Sequence, residues 1–217
     1  MQYGCFNMYT GFYETDLDKI ALCAESVKTA KHALIEEDGI GSDLNINIFG
    51  WKNNELVTIV QLKNTFDIPK DERLQQIIEA SVIMRQGWGI DEYTLAAEGY
   101  CSMSPSDTHG KDLASLYADN KSSVEECISF THLTATDHVF VTLPYKVKLG
   151  RKVEFGPTLW YNGGRVMRDI EFPAALKASL KIDSQPIDNS IERDVYFGTL
   201  ASAIMHCGFE IFYRDDI

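Results

Sequence analysis

Hydrophobic and polar positions change period several times along this chain, and each change marks an element. Leu17, Ile20, Ala24, Val27, Leu34 and Ile35 recur at helical spacing. Thr15 followed by Asp18 supplies an N-cap pair and Gly39 a stop, which predicts a long amphipathic helix. The period then falls to two: Leu44, Ile46 and Ile48 alternate with Asp43, Asn45 and Asn47, the pattern of a half-buried strand. Lys52-Asn-Asn-Glu55 is a turn, and residues 56–62 form a second strand whose β-branched residues lie on both faces, which predicts that it is the more central of the two. Residues 70–86 return to helix, with Leu74, Ile77, Ile78 and Val82 on one side and Gly87 at the stop.

The central stretch, residues 88–147, holds most of the strand signal. Over residues 93–101, Tyr93, Leu95, Ala97 and Gly99 fall on one face and Thr94, Ala96, Glu98 and Tyr100 on the other. Small residues at Ala96, Ala97 and Gly99 would let a helix approach closely. A polar connection with a short helical possibility at 113–117 leads to two further strands, 125–133 and 138–147, joined around Ala135-Thr136. Pro144 predicts that the second of these is an edge strand or stops early, because proline donates nothing to a ladder. Residues 152–161 are extended and broken at Gly156-Pro157. Residues 172–180 form a short helix, residues 189–207 a final one, and residues 209–213 a closing strand. The expected fold is α+β: a mostly antiparallel sheet of about five to seven strands with helices packed on it. With 217 residues and no repeat or linker, residues 1–217 are expected to form a single domain, with an aromatic arm at 1–14 (Tyr3, Phe6, Tyr9, Phe12, Tyr13) laid over apolar surface.

Charge narrows the function classes. Thirty-two acidic against twenty basic residues give a formal charge of −12, which repels phosphate backbones and anionic lipid. General nucleic-acid binding is therefore disfavoured. The acids are scattered, with Glu36-Glu37-Asp38 the one run, as expected of a solvated surface rather than an imitation of nucleic acid. The five cysteines are odd in number, widely spaced and without a CxxC pair, as expected of buried free thiols in a reducing cytoplasm. No stretch approaches 18 apolar residues and no basic leader precedes one, so neither a membrane span nor a signal peptide is expected.

Candidate chemistry gathers in the central stretch. Glu98, mid-strand, must be paired or neutralised, and such a carboxylate can serve as a general acid or base, with His132 as its companion candidate. Asp107, His109 and Asp112 put three metal-competent side chains in one loop, and His132 and His138 would add nitrogen donors for Mg²⁺, Mn²⁺ or Zn²⁺. The spacing matches neither HExxH nor an EF-hand, so no cofactor is expected by default and a divalent metal is the one alternative. Cys101 and Cys127 lack a local histidine partner, and no GxSxG, P-loop or GxGxxG is present.

The order of features resembles a group of uncharacterised proteins from bacteriophages and some bacteria: a helix, a hairpin ending Leu56-Val-Thr-Ile-Val-Gln-Leu62, a helix, a strand carrying Ala97-Glu98-Gly99-Tyr100, a Pro/Asp-containing loop, and Glu125-Glu126-Cys127-Ile128 leading into a hairpin. The resemblance covers roughly residues 40–155. It implies a viral or mobile-element origin and brings no catalytic residues. Two expectations follow. The first is a non-catalytic accessory protein acting in the cytoplasm by binding a protein partner or by self-association. The second is a small metal-assisted hydrolase or nucleotide-processing enzyme with its site on residues 102–123.

Overall fold

A computed structural model describes residues 4–5, 14–39, 41–63, 69–102, 124–161, 171–182, 187, 191–192, 195–196 and 208–213. The described elements are, in chain order, β1 (Gly4–Cys5), α1 (Asp16–Glu37), β2 (Ile46–Lys52), β3 (Glu55–Leu62), α2 (Lys70–Trp88), β4 (Glu92–Ser102), β5 (Val124–Leu133), β6 (His138–Lys148), β7 (Lys152–Phe155), β8 (Leu159–Tyr161), α3 (Glu171–Ser179) and β9 (Phe209–Tyr213). The α+β expectation holds. Six strands of five or more residues carry a sheet ordered β1-β9-β3-β2-β4-β5-β6-β7, and β8 pairs with β6 beside that path. Every described pairing is antiparallel except β1 with β9, where Gly4 and Cys5 stand opposite Phe212 and Tyr213. The rest of the aromatic arm, and most of the helix expected at 189–207, lie outside the described residues.

Helices cover both faces of the sheet. On one face α1 buries Ile20, Cys23, Val27 and Ile35 against Phe49, Trp51, Ile128, Phe130 and Val141. On the other, α2 and α3 bury Ile77, Met84, Trp88 and Leu176 against Ile48, Val60, Tyr93 and Leu95. Double coverage explains why β2 is buried on both faces although its sequence alternates: Asn47 is buried with Ile46 and Ile48. It also corrects the ranking within the first hairpin. β2 lies between β3 and the eleven-residue β4, so β2 is the more central strand. Gly50 permits this packing, because a Cβ there would stand 2.6 Å from Met84 Cε and 2.8 Å from Thr58 Cγ2.

Local chemistry sets the ends of the elements. The Asp18 amide donates to Thr15 Oγ1 at 3.2 Å, the cap read from sequence. Asn53 (φ 50°) and Asn54 (φ 66°) take the two left-handed positions of a tight hairpin turn. α2 runs on through Gly87 and stops at Gly89, which has the left-handed conformation (φ 67°) and whose amide closes on Arg85 O. Gly87 is instead a buried residue within the helix. Pro144 does not end its strand: β6 continues to Lys148. Its outer neighbour changes at that point, from β8 at Phe140–Thr142 to β7 at Tyr145–Lys148, and the missing donor falls in the gap between them.

Candidate functional site

The buried stripe of α1 contains two lysines that a hydrophobic pattern cannot report. Lys19 and Lys31 are both buried, whereas Leu17, expected on the apolar face, is exposed. Each lysine meets a glutamate on the α1-facing side of β4: Lys19 pairs with Glu92, and Lys31 Nζ lies 2.6 Å from Glu98 Oε1. The spacings agree. Twelve residues of helix advance roughly 18 Å, and the six residues from Glu92 to Glu98 advance roughly 20 Å along a strand.

At the N-terminal end of α1, Lys19 Nζ also donates to Asn54 Oδ1 at 2.9 Å and lies over the Trp51 ring. His132 is wholly buried beside this pair. Its Nδ1 is 2.8 Å from Thr94 Oγ1, which also accepts from Trp51 Nε1 at 3.0 Å. Its Nε2 lies 3.3 Å from Glu92 Oε2 and 3.5 Å from Asp16 Oδ1, without the alignment of a hydrogen bond. Burial works to raise the Glu92 carboxyl, but contacts with His132 and Lys19 outweigh it and hold the group down at about 2. Burial pushes the nearby Cys23 thiol up, out of the range of a nucleophile, and Cys101 and Cys127 are likewise buried and free.

At the C-terminal end, Glu98 is saturated. Its side chain is 5% exposed, Oε2 accepts the Leu44 amide at 2.6 Å, and Oε1 accepts the Tyr145 hydroxyl at 2.8 Å as well as the Lys31 ion pair. Lys31 donates to Ser42 O at 2.6 Å and sits 5.0 Å from the centre of the Tyr145 ring. Burial, with Glu98 as a second cause, raises the Tyr145 hydroxyl. Burial first, and then the charge of Glu98, raise the Asp43 carboxyl, against the opposing pull of Lys31.

Beside this second pair opens a cleft of about 500 Å³, lined in part by Lys31, Ser42, Asp43, Glu126, Tyr145 and Lys148. Glu126 reaches it from β5, where it stands opposite Tyr100.

The expected catalytic pair is not brought together. Thr94 faces His132 and Glu98 faces Ile128, so the two candidates sit four rungs apart on one ladder, roughly 13 Å along the strand. His132 and His138 project to opposite faces, since His138 stands opposite Leu133 on the α2 side. Asp107, His109 and Asp112 lie outside the described residues. Among the described residues, no group of three or more His, Cys, Asp or Glu side chains is arranged to hold a metal ion, and no helix is long and apolar enough to cross a membrane. Sequence reasoning missed Asp43, Lys31 and Tyr145. A lysine recurring with the apolar positions of α1 was the one available signal.

Two expectations follow from this geometry. Lys31→Met should destabilise the protein by about 3 kcal/mol in chemical denaturation at neutral pH, because it leaves the Glu98 carboxylate buried without its cation. Glu92 titrates lower folded than unfolded, so the stability it contributes is complete above about pH 4.5 and is lost as pH falls toward about 2. Denaturation midpoints measured across that range should fall more steeply in the native protein than in Glu92→Gln.

No family model, curated protein or solved structure matches this chain, so its function is read from its own geometry.

Proposed function

We propose that this protein is a non-catalytic binding protein, phage-encoded as the sequence resemblance implies, which holds a protein partner against its acidic surface in the cytoplasm of the host. The observation that carries the reading is the state of the two residues nominated for catalysis. Glu98 has its ion pair and two hydrogen bonds committed to the fold. His132 is wholly buried four rungs away. A general acid or base must reach a substrate proton, whereas Glu98 is spent in holding α1 to the sheet and His132 is enclosed beside Thr94.

The charge left on the surface supports binding of a cationic partner. The three lysines lining the cleft are each matched by a carboxylate: Lys31 by Glu98, Lys146 by Glu125 and Lys148 by Glu154. Asp43 and Glu126 are further acids of the lining, and the whole chain carries −12. A field of that sign speeds encounter with a basic surface and repels nucleic acid and anionic lipid. The hydrolase alternative places its site on residues 102–123, outside the described residues apart from Ser102, and no described feature favours it.

Fluorescence anisotropy with a panel of equal-length basic, neutral and acidic peptides tests the reading. The basic peptides should bind, with affinity falling as salt rises from about 50 to 500 mM. Equal binding of the three classes, or none, would contradict it.

A further inference from the structure

The face of β4 opposite Glu98 carries a pair of thiols. Strand alternation puts Ala97, Gly99 and Cys101 on the α2 side, where Ala97 packs against the core of that face. Gly99 stands opposite Cys127 and Cys101 opposite Glu125, so Cys127 points to the same face and is the diagonal neighbour of Cys101 across the ladder. Both thiols are buried and free, and a hydrogen bond joins one to the other. A Cβ built on Gly99, the residue facing Cys127, would meet nothing within 4 Å, so the ladder is open beside the pair.

The position of the pair in the chain gives a bond between them a consequence. Cys101 is the next-to-last residue of β4 and Cys127 the fourth of β5. Residues 103–123 connect the two strands. We infer that Cys101 and Cys127 are a thiol-oxidation site, closing to a reversible disulfide that clasps β4 to β5 at the base of this connection, with a small-molecule disulfide such as oxidised glutathione as the oxidant. Diagonal strand neighbours lie roughly 7 Å apart at Cα, near the upper limit that a disulfide spans. A bond closed at that limit is readily reduced, which suits a switch rather than a permanent staple.

The two thiols take different roles in the exchange. The hydrogen bond from Cys127 lowers the Cys101 thiol, whereas Cys101 first, and then burial, raise that of Cys127. Cys101 is therefore the attacking group. Its thiolate attacks one sulfur of oxidised glutathione, the S–S bond of the oxidant breaks, and one glutathione thiolate leaves. Cys127 then loses its proton to solvent and attacks the Cys101 sulfur of the mixed disulfide, which expels the second glutathione. In sum the protein gives up two electrons and two protons, and one oxidised glutathione becomes two glutathiones.

Peptide mapping by mass spectrometry tests the site, after incubation of the native full chain with oxidised glutathione and alkylation of the remaining thiols under denaturing conditions. Mapping should find Cys101 joined to Cys127 within one chain, with two glutathiones released per link and full reversal by dithiothreitol. Cys23→Ser should still form the link. Cys127→Ser should stop at the mixed disulfide, with one glutathione on Cys101. The oxidised chain should unfold at a higher denaturant midpoint than the reduced one, because the closed loop restricts the unfolded state. Recovery of both cysteines in alkylated form would overturn the inference. So would a link from either to Cys5, Cys207 or a second copy, or a stable glutathione adduct on Cys101 of the native chain with Cys127 free. The mapping uses the native chain, so it decides the matter whether or not the serine variants fold.

Discussion

Two buried ion pairs decide where the first helix lies. A helix packed on a sheet by aliphatic contacts alone can slide or rotate with little penalty, because methyl groups are non-directional partners. Lys19 with Glu92 and Lys31 with Glu98 remove that freedom. They sit near opposite ends of α1, matched to two glutamates six residues apart on one strand face, so a shift by one turn would bury four charges without partners. Burying an ion pair is poor value for stability alone, since desolvation consumes most of the attraction. What the pairs contribute here is register, and further hydrogen bonds support them: Lys19 donates to Asn54, Lys31 donates to Ser42 O, and Glu98 accepts from Leu44 and Tyr145.

This arrangement accounts for how much of the molecule was legible in its sequence. Periodicity located the elements because it reports burial directly: α1, the Asn53-Asn54 hairpin, β4 and the β5–β6 hairpin all lie where alternation or helical spacing placed them. It failed where burial and polarity part company. Lys19 and Lys31 fill core positions of α1 while Leu17 faces solvent, and no hydrophobicity pattern distinguishes a buried, paired lysine from a solvated one. The same blindness ranked β3 above β2, because a strand covered by helices on both faces can still alternate when residues such as Asn47 are buried. Pro144 misled for a different reason. The sequence shows a missing donor, but not that two separate strands would divide the outer edge of β6 on either side of it.

The candidate site was legible by composition and not by geometry. Glu98, His132 and His138 were marked from the sequence as candidates on the sheet, yet strand parity sends the two histidines to opposite faces and the ladder holds His132 four rungs from Glu98. Asp43, which lines the cleft, lies 55 residues before Glu98 in the chain and comes near it because the loop after α1 folds back over Lys31. Lys31, whose ion pair with Glu98 fixes the helix, also lines the cleft beside that pair.

The central claim is that α1 is held to the sheet at both ends and opens only with the whole domain. Native-state hydrogen exchange measures this residue by residue. Amides in the middle of α1, from Cys23 to Ile35, should exchange with the same opening free energy as those of β4, equal to the global value from denaturation. Exchange of α1 through a separate opening several kcal/mol easier than that of β4 would show that the helix is not pinned and would contradict the account.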